Sequence, residues 1–153
     1  MSENKIKFKI ITPEKITYSS EDVKRVTIPT EAGEITVLPN HIPLVSVLKS
    51  GELKIIKDKQ EIFISVSTGF LEVRPKSEVY ILADTAEKAE DIDLERAQMA
   101  KERVKQLLEK KQDRSDVAFA RLQSSLNREM ARIKVANKYR RFKKNPNNFS
   151  KFE

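Results

Sequence analysis

The single histidine, His41, stands in Leu38-Pro39-Asn40-His41-Ile42-Pro43-Leu44. Imidazole is the side chain whose ordinary titration falls near neutral pH. A general base also needs a nucleophile or carboxylate in a recognisable pattern, and none stands near His41, so the segment is expected to shape a turn or a contact surface. There is no cysteine, which removes disulfides, thiolate catalysis and cysteine-based zinc sites. Gly33, Gly51 and Gly69 form neither Gly-x-x-x-x-Gly-Lys-Ser/Thr nor Gly-x-Gly-x-x-Gly. A tight turn at Gly33 and strand junctions at Gly51 and Gly69 are their expected uses. The chemistry left is carboxylate, basic, hydroxyl or backbone chemistry. Arginine's forked donors suit phosphate or carboxylate oxygens. A classical enzyme is not expected.

The elements that must position these residues divide the chain near residue 90. The 153 residues carry a net charge of +7, with 39% hydrophobic and 35% charged residues. Residues 1–92 hold 13 basic and 15 acidic side chains, and residues 93–153 hold 17 basic and 8 acidic ones. The excess positive charge therefore belongs to the C-terminal part alone. No run approaches eighteen apolar residues, so no membrane-spanning helix is expected. Met1-Ser2-Glu3-Asn4 does not open a secretory leader.

The first part alternates with period two. Ile6, Phe8 and Ile10 interleave with lysines, and Val26 and Ile28 follow a charged turn expected at Glu21-Asp22. Short Val- and Ile-rich runs follow at Ile35–Val37, Leu44–Leu48, Leu53–Ile56, Ile62–Val66, Phe70–Val73 and Val79–Leu82. Turn signals separate them and no stretch is long enough for a crossover helix, which predicts an antiparallel sandwich or barrel. The second part has helical spacing. Leu94, Ala97, Val104 and Leu108 mark one helix, with Asp93 or Asp91 as its N-cap; Phe119, Leu122, Leu126, Met130 and Ile133 mark a second. Joined by the polar stretch from Lys110 to Ser115, they predict an antiparallel hairpin. Its alanine-rich contact buries little area at about 25 cal/mol per Å², which makes it a candidate moving element. The tail after Lys138 is basic, with Phe142, Phe149 and Phe152, and Pro146 ends any helix that reaches it.

The basic half admits two partners, nucleic acid or an acidic protein surface. Acids interrupt the basic residues through the first helix, and no zinc finger, recognition-helix turn or single-strand aromatic pattern is present. The protein surface is the favoured partner, and a basic helical-hairpin adaptor for nucleic acid or an acidic protein is the alternative.

Three ordered stretches carry a resemblance. Gly33-Glu-Ile-Thr-Val-Leu-Pro-Asn-His-Ile-Pro-Leu-Val-Ser-Val-Leu-Lys-Ser-Gly51, then Gly69-Phe-Leu-Glu-Val with Val79-Tyr-Ile-Leu-Ala-Asp84, then Ala86-Glu-Lys-Ala-Glu-Asp-Ile-Asp-Leu-Glu-Arg-Ala97 resemble the bacterial epsilon-subunit family of the F-type ATP synthase. The likeness covers about residues 3–140. It implies an all-β N-terminal sandwich of about ten strands at 1–86, a two-helix regulatory domain at 87–140, and a flexible basic tail at 141–153, longer than is usual in the family.

The resemblance further implies a non-catalytic central-stalk part that joins the gamma subunit to the c-subunit ring and meets the alpha and beta subunits, where ATP is made. It implies no nucleic acid, no membrane insertion, and a peripheral place on the cytoplasmic face of a bacterial plasma membrane; the lack of a transit peptide favours a bacterial or organelle-encoded chain. The end of the sandwich bearing Glu31 and His41 is expected to face the ring. The helices are expected to extend along gamma and hinder hydrolysis through Arg114, Arg121, Arg128, Arg132 and Lys134 against an acidic loop of beta, with the tail phenylalanines inserted between subunits. No cofactor is required. Ile92-Asp93-Leu94-Glu95-Arg96-Ala97 matches the family's Ile/Leu-Asp-x-x-Arg-Ala pattern, which implies ATP as a regulatory ligand, with magnesium dependence open. Asp93 would help recognise the adenine, with Ile92 in the same ATP-binding set; Arg96, Arg103, Arg128 and Arg132 would meet the phosphates, and Glu87 would be another contributor. The plainer reading keeps Asp93 as a helix cap and the arginines as surface charges paired with Glu95 and Glu102.

Overall fold

The computed structural model describes residues 4–110 and 115–145. Ten strands come first: β1 (Ile6–Ile11), β2 (Ile16–Val23), β3 (Arg25–Thr30), β4 (Gly33–Val37), β5 (Leu44–Leu48), β6 (Gly51–Lys57), β7 (Gln60–Val66), β8 (Gly69–Arg74), β9 (Glu78–Ala83) and β10 (Ala86–Lys88). A short 3-10 turn at Ala89–Asp91 leads into α1 (Leu94–Glu109) and α2 (Asp116–Lys144). The strands form one sheet in the order β10-β7-β6-β3-β5-β8-β9-β1-β2, with β4 paired to β3. Neighbours run antiparallel except β1 and β9, which are parallel.

The sheet folds over where β3 meets β5, a junction held by the pair Thr30↔Leu48. This brings the inner faces of β6 and β7 against those of β8, β9 and β1. Period-two alternation supplies the core: Ile6, Phe8 and Ile10 face Leu53, Ile55, Ile64, Leu71, Val73, Val79 and Ile81, all buried. Phe8 packs on Tyr18 with ring centroids 6.0 Å apart, and Lys57 Nζ on β6 pairs with Asp22 on β2 at 2.9 Å. The edge strand β2 is thus tied across to β6.

Strand β2 was not legible as a strand. Its sequence is polar and half exposed, and the expected turn at Glu21-Asp22 lies inside it; the chain bends at Lys24 instead. Gly33 has φ +116°, a conformation only glycine adopts readily, which fits the expected tight turn between β3 and β4. Gly69 sits where an added Cβ would lie 1.9 Å from the Leu82 carbonyl oxygen, so the β8–β9 pairing demands a residue without a side chain.

The helices form the expected hairpin, and α2 lies on the outer face of β6 and β7. Asp93 caps α1 by accepting from the Arg96 N–H at 3.1 Å, and Ser115 caps α2 by accepting from the Ala118 N–H at 3.2 Å. A second cluster holds the hairpin to the sheet: Phe63 of β7, Ala89, Ile92, Val135 and Ala136 are buried together, with Leu94, Tyr139 and Phe142 packed around them. Helix α2 continues through residue 140 to Lys144, with Asn145 as its C-cap just before Pro146. Phe142 meets Phe63 edge to face at 5.7 Å, so the part of the expected tail up to residue 144 is helix and Phe142 is docked within this chain. Phe149 and Phe152 lie outside the described residues.

Candidate functional site

Strand β10 pairs with β7 through Ala86↔Val66, Glu87↔Ser65 and Lys88↔Ile64. This places Glu87 on the sheet edge beneath α2. Arg128 and Arg132, one helical turn apart on α2, reach the same edge. Arg132 donates to Glu87 through Nε at 2.8 Å and Nη2 at 3.5 Å, and through Nη1 to Glu129 at 2.8 Å. Arg128 Nε donates to the other oxygen of Glu129 at 3.2 Å. Burial acts to lower the Arg132 pKa, but the bonds from Glu87 and Glu129 outweigh it and raise the group above its usual value. The guanidinium is therefore held charged. A cavity of about 360 Å³ opens here, lined by Glu14, Lys15, Ser65, Thr85, Ala86, Glu87, Arg128, Glu129 and Arg132.

Of the residues expected at a nucleotide, the structure gathers Glu87, Arg128 and Arg132. Asp93, Ile92, Arg96 and Arg103 do not line this cavity. Asp93 is the N-cap of α1, and Ile92 is buried against Phe63, Val135 and Ala136. Arg96 and Arg103 are exposed on α1, and among the described residues no ion pair reaches them, including the expected partners Glu95 and Glu102. The four arginines therefore do not converge in this conformation: Arg128 and Arg132 line the cavity, while Arg96 and Arg103 stand exposed on α1.

The expected inhibitory residues also separate. Arg121 is exposed on the first half of α2, while Arg128 and Arg132 face Glu87. Lys134, two residues on and therefore across the helix, lines other cavities beside Glu31, Lys49 and Glu52. Arg114 lies outside the described residues. Glu31 and His41 do not share one end of the sandwich. The Glu31 turn precedes β4 and the His41 loop follows it, so the two flank opposite ends of that strand. Glu31 N–H donates to the Val47 carbonyl at 3.0 Å. At the other end Asn40 N–H donates to Ser77 Oγ at 2.8 Å, and His41 Nδ1 lies 2.7 Å from the Ile42 carbonyl oxygen.

Glu129 is the residue that sequence reasoning missed. The expected stripe used Met130, yet Met130 is 49% exposed while Glu129 is 3% exposed. Leu122, Leu126, Glu129, Ile133 and Ala136 run at spacings of four and three, the signature of one inward face. A charged residue at the centre of such a face, three before an arginine, was the available signal. The outer face of the other layer was likewise overlooked. Val47↔Phe70 and Phe70↔Leu82 are direct cross-strand partners on β5, β8 and β9. They are 46%, 55% and 48% exposed, and the row continues through Leu82↔Ile11 and Ile11↔Ile16.

Comparison with known proteins agrees with the two-part architecture. Residues 5–89 match the family model described as the beta-sandwich domain of the ATP synthase delta/epsilon chain, and residues 90–137 match its long alpha-helix domain. The ATP synthase epsilon chain of Bacillus velezensis is 44% identical over 131 residues, covering 86% of this chain and 96% of that one. The epsilon chain of Desulforamulus reducens is 42% identical over 127 residues, covering 83% and 93%. In fold, the chain is similar to a chain in the Euglena gracilis mitochondrial ATP synthase OSCP/F1/c-ring structure, with TM-score 0.70, 24% identity and coverage of 84% and 79%. A chain of the Tetrahymena thermophila central stalk and c-ring structure gives TM-score 0.58 at 16% identity, covering 91% and 98%. With both of its parts matched in order and its relatives matched over nearly their whole length, the chain belongs to the epsilon-chain family of the F-type ATP synthase.

Proposed function

We propose that this chain is a non-catalytic central-stalk subunit that joins the gamma subunit to the c ring and restrains ATP hydrolysis through its C-terminal helices. The single observation that carries this reading is the division of the sandwich into two unlike outer faces. One is covered by α2. The other presents the row Val47, Phe70, Leu82 to solvent, and contiguous exposed apolar surface marks interaction sites. A rotor part must stay attached under torque, and a broad sheet face held by many contacts suits that need better than a hairpin. Gamma is assigned to this face. Among the described residues no helix is long and apolar enough to cross a membrane, which suits a peripheral subunit on the cytoplasmic side of a bacterial plasma membrane. The c ring is assigned to one end of the sandwich, that of the Glu31 turn or that of the His41 loop.

The helices are assigned the regulatory role. In the compact state Arg128 and Arg132 are paired to Glu87 and Glu129; on extension the basic residues of α2 would meet an acidic loop of beta. ATP, contacting Arg128 and Arg132 with Arg96, Arg103 and the Ile92-Asp93 corner, would favour the compact state and so relieve inhibition. The test is ATP hydrolysis by the assembled complex with the chain cut after Lys88. Hydrolysis is expected to rise, with the shortened chain still co-purifying with gamma. Unchanged hydrolysis across ATP and salt conditions would remove the inhibitory role, and loss of gamma would remove the anchoring role of the sheet.

A further inference from the structure

The cavity beneath α2 already contains an anion. Glu129 gives one carboxylate oxygen to Arg128 Nε at 3.2 Å and the other to Arg132 Nη1 at 2.8 Å. The second edge of Arg132 is taken by Glu87. Before any ligand arrives Arg132 is engaged through all three nitrogens and Arg128 through Nε, and the Glu129 side chain is only 4% exposed. Across the whole lining three carboxylates, Glu14, Glu87 and Glu129, face three cations, Lys15, Arg128 and Arg132. A buried carboxylate is costly unless paired, and both oxygens of Glu129 are paired. An entering triphosphate would face balanced charge and would have to displace a carboxylate from an arginine.

We propose that Glu129 is a built-in counter-ion that occupies the phosphate seat of this hairpin. It locks the compact state indirectly, by holding Arg132 against Glu87, the one link of this chain of pairs that joins α2 to the sheet, and it weakens binding of a nucleoside triphosphate at the same arginines. The second half rests on the nucleotide reading given above; the first half does not. Compaction in this chain is then set largely by its own side chains, and nucleotide acts as a competitor for Arg128 and Arg132.

The test uses the full chain and Glu129→Gln, which keeps the shape and hydrogen-bonding capacity of the side chain and removes its charge. Amide hydrogen exchange is read without nucleotide, with the amides of β1 and β9 as the folding control. Exchange through α2 is expected to speed up on the order of tenfold or more, the factor that corresponds to losing one charge-assisted bond. Calorimetric titration with ATP is expected to show binding tighter by a similar factor, and Arg128→Ala in the Glu129→Gln background is expected to abolish the gain. Unchanged exchange through α2 overturns the lock. Equal ATP affinity of wild type and Glu129→Gln, both lowered by Arg128→Ala, overturns the competition and leaves the nucleotide reading standing. Faster exchange with no ATP binding by either protein upholds the lock and removes the nucleotide reading.

Discussion

Replacing Phe142 by alanine tests whether the last turns of α2 hold the hairpin on the sheet. The family match ends at residue 137, and the contacts beyond it are specific: Lys138 Nζ reaches Glu52 at 2.6 Å and stands 5.3 Å from the Phe63 ring centre, and Phe142 meets the same ring from the side, at 71° between planes. Truncating a fully buried phenylalanine costs about 3–5 kcal/mol. Phe142 is only half-buried, so about 2 kcal/mol is expected, of which the ring pair supplies roughly 0.5–1.5. A loss of about 2 kcal/mol changes a local opening equilibrium roughly thirtyfold. Amide hydrogen exchange of the full chain should show residues 135–144 exchanging faster by about that factor, with β1, β8 and β9 unaffected. In the assembled complex the same variant should hydrolyse ATP more slowly, because the hairpin leaves the sheet more readily. Unaltered exchange at residues 135–144 would refute the assignment of Phe142 as a fastening, and slowed exchange would reverse its sign.

Phe70→Glu, at the centre of the exposed apolar row, should weaken association with gamma by at least about thirtyfold, the scale of an interface hot spot. Its melting temperature should stay close to wild type because the ring is 55% exposed, and co-purification with gamma checks it. Gly69→Ala should destabilise the sandwich by about 3 kcal/mol or more in thermal unfolding, since the new Cβ would meet the Leu82 carbonyl oxygen at 1.9 Å and the Ala83 Cα at 2.8 Å. The hydrogen bond from Ser20, then the Lys57 ammonium, holds the Asp22 carboxyl below its usual value. Its contribution is therefore present above about pH 4 and is lost as pH falls through the lowered folded value. Asp22→Asn should remove part of the acid-side loss of stability in melts taken below about pH 4 and leave the neutral-pH curve shape unchanged.

The sandwich was legible because its core obeys period two. Ile6, Phe8 and Ile10 alternate with lysines, and each is buried where the alternation points. β2 escaped because its exposed edge carries Ser19, Ser20, Glu21 and Asp22, and these residues look like a turn until Ser20 and Asp22 are seen tied to Lys57. The helix cap at Asp93 was visible from its position ahead of Leu94, whereas the inward side of α2 was not. The inward line runs through Leu122, Leu126, Glu129, Ile133 and Ala136, and an acidic residue on that line does not read as an inward position until Arg128 and Arg132 are seen to pair with it. The separation of Glu31 from His41 follows from the length of β4. Sequence order alone makes them neighbours, while a five-residue strand puts roughly 15 Å between its ends at about 3.3 Å per residue.

The same contacts explain how one chain can be both anchor and moving part. The sandwich closes around seventeen buried residues, and breaking it means unfolding it. The hairpin is held to the sheet by a handful of separable contacts: Arg132–Glu87, Lys138–Glu52, and the cluster of Phe63 with Ile92, Val135, Ala136 and Phe142. Lys138 is 53% exposed in its pair, and exposed pairs contribute about 0–1 kcal/mol each. The apolar cluster is small: Phe63, Ile92, Val135 and two alanines are buried, with Leu94, Tyr139 and Phe142 only partly buried around them. Its loss falls within the few kcal/mol by which a ligand or partner can shift a two-state equilibrium. The buried exception is Glu129, whose pairing lies within α2 itself. Because Arg128, Glu129 and Arg132 belong to one helix, their mutual pairing can survive if α2 lifts from the sheet, and only the Glu87 link must break. A hairpin built in this way can detach without exposing an unpaired carboxylate, provided that α2 stays helical as it moves.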